Sequence, residues 1–123
     1  MYMVKCEEKY WPFVLKLRNQ FREFFFSQSI ITDEQHQKFM EKWSKNYFIC
    51  ISHDGESPLG WVGVVDNDIR IAVSKKFQSQ GVGKFMLESI KDLYPDATAQ
   101  ILAENISSIR LFESAKIPLE IIE

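Results

Sequence analysis

The sequence predicts an α+β domain, a mixed and largely antiparallel central sheet with helices packed on its faces. Three observations carry this. Three β-type runs between Tyr47 and Val73 are separated only by short turn segments, as in an antiparallel meander. Beyond Val73 the chain alternates helical and β-type patterns, as strand–helix–strand crossovers do. Hydrophobic residues make up 46% of the 123 residues and ten are Phe, enough to fill one core. A single domain over residues 1–123 follows.

Met3 to Cys6 forms a short opening strand. Trp11 to Arg18 reads as a helix with Pro12 in its first turn, where the missing N–H costs nothing. Phe21 to Ser29 is aromatic-rich and irregular, with no assignable element. Thr32-Asp33-Glu34-Gln35 is a capping box, and the helix after it places His36, Phe39, Met40 and Trp43 on one face. Tyr47 to Ile51 is a dense β run, ended by the turn-rich segment His53 to Pro58. Leu59 to Val65 is the next strand, and Asp66-Asn67-Asp68 turns it into Ile69 to Val73. Val82, Phe85, Met86, Ile90 and Leu93 mark a helix that Pro95 stops. Thr98 to Leu102 is a strand, Asn105 caps a helix carrying Ile109, Phe112 and Ala115, and Leu119 to Ile122 is a final strand.

Charge and cysteine usage exclude several function classes. Fifteen basic and 17 acidic residues give a net charge of −2, and no basic block is present, so nucleic acid is not an expected partner. Cys6 and Cys50 lie in strand-like runs without metal-ligand spacing, so they are expected as small buried hydrophobes and no metal is expected. No apolar run approaches the roughly 20 residues of a membrane span, and the first residues do not resemble a signal peptide. A cytoplasmic protein with no membrane partner is the expectation.

The segment with most chemical content is Gln78-Ser79-Gln80-Gly81-Val82-Gly83-Lys84, between the Ile69–Val73 strand and a helix. The first N–H groups of a helix lack intrahelical partners and carry partial positive charge, and glycine lets backbone approach an anion closely. Such a turn can therefore cradle a pyrophosphate. It can equally be a tight strand–helix connection, and the glycines alone do not decide. A Walker A loop fails, because Gly83-Lys84 is followed by Phe85 and position 78 is Gln. A Rossmann fingerprint fails for want of a third glycine and of an early strand–helix–strand unit.

Gln78-x-x-Gly81-x-Gly83 does match Gln/Arg-x-x-Gly-x-Gly/Ala, the acyl-CoA signature of the GNAT N-acetyltransferase superfamily. The chain resembles that superfamily over nearly its whole length in element order, including an Asn-led helix in "AENISSIRLFESAKI". The resemblance implies the GNAT fold and acetyl-CoA as cosubstrate. It implies a cleft where the strands ending at Val73 and Leu102 splay. Pantetheine amides would pair with Ile71, Ala72 and Val73, and pyrophosphate would sit on the amides of Gln78, Ser79, Gln80, Gly81, Val82, Gly83 and Lys84. Asn105 and Ser108 would flank the arm. A primary amine on a small acceptor would attack the thioester directly, with backbone amides near Val73 polarising its carbonyl.

The chain departs from the family pattern in three places. Phe112 stands where many members carry a tyrosine that protonates the leaving thiolate. Lys116-Ile117 replaces the usual Gly-Phe, removing the expected left-handed cap glycine. Six residues follow Ile117 where most members carry two strands, so the last strand is expected to be missing or supplied by a homodimer partner.

A charged amine must lose a proton before attack, and Asp68 and Glu104, at strand ends, are the candidate bases, with solvated surface acids as the ordinary alternative. On the acceptor side, Arg18 and Arg70 are candidates for an acceptor's phosphates, and His36 for hydrogen bonding. A core role for His36 is equally open. The region from Leu17 to His36 resembles members that acetylate nucleotide-linked amino sugars. The alternative to an enzyme is a non-catalytic acyl-CoA-binding or interaction module that keeps the fold.

Overall fold

The computed structural model describes residues 1–123 except Phe26, Ser27 and Glu56. Parts of the irregular Phe21–Ser29 stretch and of the His53–Pro58 turn therefore lie outside the described residues. The elements follow the predicted order: β1 (Tyr2–Lys5), α1 (Trp11–Gln20), α2 (Asp33–Trp43), β2 (Tyr47–Ile51), β3 (Pro58–Val65), β4 (Asp68–Val73), α3 (Val82–Lys91), β5 (Ala99–Leu102), α4 (Ile106–Ser114) and β6 (Leu119–Ile122). The Thr32 capping box forms in full, its hydroxyl accepting from Gln35 N–H and the Gln35 side chain accepting from Thr32 N–H.

Strands β1 to β4 form an antiparallel sheet in sequence order. Asp66 and Asn67 both take positive φ, 52° and 64°, in a two-residue turn that sets Val65 opposite Asp68 and Gly63 opposite Arg70. Strands β5 and β6 pair in parallel, and among the described residues β6 is the one strand hydrogen-bonded to β5 in register. Among the described residues, backbone hydrogen bonds join the β4 and β5 segments only at their starts, where Ile69 N–H donates to Thr98 O at 2.8 Å and Thr98 N–H to Asn67 O at 2.9 Å.

Two apolar clusters cover the sheet. One face, with Cys50, Val62, Val64 and Ile69, packs on Val82, Met86, Leu87 and Ile90 of α3 and Phe112 of α4. The other, with Tyr47, Ile49, Trp61 and Ala72, packs on Val14 and Leu17 of α1 and Met40 of α2. The division is the period-2 alternation of the strands made physical. Both cysteines are buried and free, and burial pushes the Cys6 thiol up to about 12, so it stays neutral.

Two expectations change. Leu93, assigned to the buried face of α3, lies beyond the helix end and is 61% exposed. The left-handed cap after α4 survives without glycine. Lys116 takes φ 58°, Lys116 N–H donates to Glu113 O, and Ile117 N–H donates to Phe112 O at 3.1 Å. That is the Schellman pattern, formed by a residue that pays strain for it. No helix among the described residues is long and apolar enough to cross a membrane.

Candidate active site

The cleft originates where β5 leaves β4. Above the Ile69–Thr98 bond, the next β5 amide, Gln100 N–H, donates at 3.2 Å to the Asp68 carboxylate instead of to the β4 backbone. Residues of one strand alternate in the side to which their backbone groups point. Ile69 N–H points toward β5, so the N–H groups of Ile71 and Val73 do too, and among the described residues no β5 residue pairs with them. Ala72 belongs to the other register and pairs with Trp61 of β3. A strand edge with free donors therefore lines one wall. Gln78 Nε2 donates to Val73 O at 3.2 Å, tying the turn back to that edge.

The turn itself separates its two glycines. Gly81 caps α3 at φ 83°, and a Cβ there would meet nothing within 4 Å, so the backbone faces open space. Ser79 also takes positive φ, 64°. Gly83 has another reason: a Cβ there would lie 2.8 Å from Leu111 Cδ2, so its absence lets α3 pack on α4. The first intrahelical bond is Phe85 N–H to Gly81 O, which leaves the amides of Val82, Gly83 and Lys84 without intrahelical acceptors. Lys75, Lys76 and Lys84 are exposed around this turn. Gln80 Nε2 is engaged with Lys76 O at 3.3 Å.

Across the cleft, Asn105 caps α4, its Oδ1 accepting from Ser108 N–H at 3.3 Å, which leaves the Asn105 amide nitrogen as a donor. Phe112 is 2% exposed and packed in the core, so a side chain there is held among apolar groups.

The two candidate bases are far apart. Asp68 stands at the closed end of the cleft, beside Arg70 Nε at 3.5 Å. Burial raises its pKa above the usual 3.8, while Arg70 and the Gln100 amide pull it down. Glu104 is exposed, two residues past β5, at the open end. Val73 is five residues from Asp68, roughly 16 Å along a strand, so Asp68 and the Val73 amide cannot serve one reacting carbon.

On the α1/α2 face, Arg70 lies 5.9 Å from the Phe39 ring centre, and burial raises the Tyr47 pKa more strongly than the Arg70 charge lowers it. Arg18 sits 4.4 Å over the Phe25 ring, and Phe25 stacks on Trp61 at 6.3 Å. Burial, and then the neighbouring Arg70 charge, lower the Arg18 pKa from its ordinary value. Tyr47, Trp61, Phe25 and Phe39 were not among the sequence candidates. The signal for Tyr47 was available: the Asp66-Asn67 turn fixes Gly63 opposite Arg70, and Tyr47 pairs with Gly63 in turn. A Cβ on Gly63 would lie 2.5 Å from the Tyr47 ring, so the ring occupies the space that glycine leaves.

His36 is placed elsewhere. It is 8% exposed, with Nε2 donating to Trp11 O at 2.8 Å, and burial lowers its pKa below the usual 6.5 against weaker opposing pulls from that carbonyl and Asp33. It lines a hollow of about 620 Å³ between α1 and α2, with Trp11, Asn19 and Gln37, that includes neither Arg18 nor Arg70. His36 joins two helices.

Comparison with known proteins agrees with this geometry. The acetyltransferase (GNAT) family profile matches residues 11–116. The fold is similar to a ribosomal-protein-alanine N-acetyltransferase from Brucella melitensis, with TM-score 0.79 at 14% identity, covering 93% of this chain and 82% of that one. It is similar to a spermidine N-acetyltransferase from Vibrio cholerae in complex with CoA and spermine, with TM-score 0.75 at 13% identity and coverage of 93% and 78%. A GCN5-related N-acetyltransferase from Kribbella flavida matches with TM-score 0.75 at 17% identity, covering 92% and 79%. No curated protein matches the chain by sequence. With the family profile spanning most of the chain and the splayed sheet beside a glycine turn, this protein belongs to the GNAT acetyltransferase family.

Proposed function

We propose that this acetyltransferase moves an acetyl group from acetyl-CoA to the primary amine of a small acceptor. The observation that carries the reading is the free β4 edge at Ile71 and Val73, beside the uncapped amides at the start of α3. Acetyl-CoA supplies the acyl group as a thioester. Its pyrophosphate fits the Ser79–Lys84 turn, where Gly81 leaves open space. The two N–H groups of Val73 and Ile71 donate in succession to the pantetheine arm, as a neighbouring strand's would. Asn105 Nδ2 and Ser108 flank the arm from α4.

This direction of binding runs the arm from Val73 toward Asp68. The Ile71 amide then polarises the thioester carbonyl, with Val73 holding the arm behind it. The acceptor amine enters from the α1/α2 face and passes a proton by way of water to Asp68, which lies three residues, roughly 10 Å along the strand, from Ile71 and whose buried position raises its affinity for one. The amine nitrogen forms its bond to the carbonyl carbon as the carbon–sulfur bond breaks. CoA leaves as a thiolate and takes up, through water, the second proton that the nitrogen sheds as the amide forms, since Phe112 has no proton to donate. Glu104, at the open end, stands farther from this carbon and serves at most through water.

The finer expectation of a nucleotide-linked amino sugar rests on the resemblance of the Leu17–His36 region. A homodimer closing over the outer edge of β6 belongs to the same reading.

The test is a pair of measurements. Acetyl-CoA and CoA raise the melting temperature with the logarithm of ligand excess, and thiol release then follows on an amine panel. No thermal shift with either ligand at saturation refutes the acyl-CoA site. A shift without turnover on any amine marks instead a non-catalytic acyl-CoA-binding module, the reading that Phe112 favours.

A further inference from the structure

We infer that Asp68 is the positioning residue that opens the sheet: its carboxylate captures the β5 amide that would otherwise pair with β4, and so keeps the Ile71 N–H free for the acyl thioester. The opening is assigned from this chain's own hydrogen bonds, while the thioester as its occupant rests on the acetyltransferase reading.

The two strands begin as a parallel ladder. Thr98 N–H donates to Asn67 O and Ile69 N–H donates to Thr98 O, which together make one parallel bridge between Asp68 and Thr98. The next step of such a ladder joins Gln100 N–H to Ile69 O, and then Ile71 N–H to Gln100 O. The donor faces the right way for it. Ala99 and Ala103 N–H donate to the β6 side, at Pro118 O and Ile122 O, so the alternate Gln100 N–H faces β4. It bonds instead to Asp68 Oδ1 at 3.2 Å. One side chain thus stands in for the β4 carbonyl at the position where the strands part.

Chemistry favours this exchange of acceptors. A carboxylate accepts an N–H bond more strongly than a neutral carbonyl does, and a short Asp side chain competes with the ladder for nearby backbone donors. The other carboxylate oxygen, Oδ2, stands 3.5 Å from Nε of Arg70, two residues along the same face of β4, so both oxygens are engaged. The turn before β4 fixes where this side chain starts: Asp66 and Asn67 take positive φ and set Asp68 opposite Val65. Moved one residue along, the carboxylate would point to the other face of the sheet, where Ile69 packs in the core.

Without the carboxylate, Gln100 N–H regains Ile69 O, and Gln100 O then takes the Ile71 N–H. Asp68→Ala is therefore expected to close the cleft by one ladder step, over the first free donor of the β4 edge. Asp68→Asn retains an oxygen acceptor for Gln100 N–H and keeps the cleft open.

Amide hydrogen exchange reads this without any ligand. In wild type the Ile71 N–H is expected to exchange faster than the bonded Ile69 N–H, and in Asp68→Ala it slows by about fivefold or more. A variant that had merely lost stability would exchange faster, so slowing at this one amide separates positioning from a structural role. Asp68→Val, branched and suited to a strand, takes the place of Asp68→Ala should that variant fail to fold. By titration calorimetry, acetyl-CoA is expected to bind about tenfold more weakly to Asp68→Ala, and within about threefold of wild type to Asp68→Asn. Unchanged or faster Ile71 exchange in the variant without an acceptor overturns the inference. Equal loss of acetyl-CoA affinity in Asp68→Asn overturns it too, by assigning the effect to charge rather than to the acceptor. Slowed exchange with unaltered acetyl-CoA affinity overturns Ile71 as the thioester's donor. Slowed exchange in a protein whose wild type binds no acetyl-CoA upholds the opening by Asp68 and sinks the acyl-CoA reading.

Discussion

Gly81→Glu places a carboxylate at the mouth of the α3 turn, where a Cβ meets nothing within 4 Å, so the variant tests charge without a clash. The backbone at φ 83° is unfavourable for any L residue, and that alone costs about 1 kcal/mol. For a domain of this size the melting temperature falls by roughly 3–5 °C. Gly81→Ala carries the same backbone cost and no charge, so it is the control. A carboxylate about 5 Å from a doubly charged pyrophosphate, at an effective dielectric near 40, repels it by roughly 3 kcal/mol. That weakens CoA about a hundredfold. With CoA at about a hundred times its wild-type Kd, stabilisation is about 2.7 kcal/mol in wild type and about 0.4 kcal/mol in Gly81→Glu. A thermal-shift assay therefore reads roughly 10 °C against 1–2 °C, with Gly81→Ala retaining nearly the wild-type shift. If Gly81→Glu keeps the full shift, the pyrophosphate does not bind at this turn. If Gly81→Ala loses it as well, the turn's conformation rather than its open, donor-lined space governs binding.

Lys116→Gly relieves the left-handed cap after α4, with a gain of about 1–2 kcal/mol reduced by about 0.5–1 kcal/mol of added unfolded-state entropy; a small rise in melting temperature is expected, and a fall refutes the cap assignment. Gly63→Ala drives a methyl into the Tyr47 ring and is expected to cost about 1–3 kcal/mol, with loss of turnover exceeding that of a remote variant of equal stability. Asp68 gives the pH dependence. Its folded pKa lies above the unfolded value, so its contribution to stability is fully present below about pH 3.8 and is lost as pH rises through the folded pKa. Asp68→Asn keeps an acceptor for Gln100 N–H and removes the charge, so at pH 7 it should be at least as stable as wild type and much less active; a clearly less stable variant at pH 7 refutes the account.

Much of the fold was legible because it is local. The Thr32 capping box, Pro12 in the first turn of α1 and the strand run Tyr47 to Ile51 depend on neighbours within a few residues, and each forms as the sequence implies. The candidate site was legible in part. The signature from Gln78 to Gly83 located the turn, but it treated two glycines as one device. Gly81 serves the backbone's positive φ, while Gly83 makes room for Leu111, 28 residues away (111 − 83), a contact that no local pattern contains.

By itself the sequence determined the order of elements, the strand–turn–helix unit at Ile69 to Lys91 and the family to which that unit belongs. These follow from periodicity, capping and turn chemistry, which act over short stretches of chain. Only the tertiary structure decided where β5 parts from β4, which amides that leaves open, and that Arg18 and Arg70 share one aromatic frame while His36 faces another hollow. Those outcomes depend on how whole elements pack on the two faces of the sheet. The energy that fixes them is distributed over contacts between residues distant in the chain.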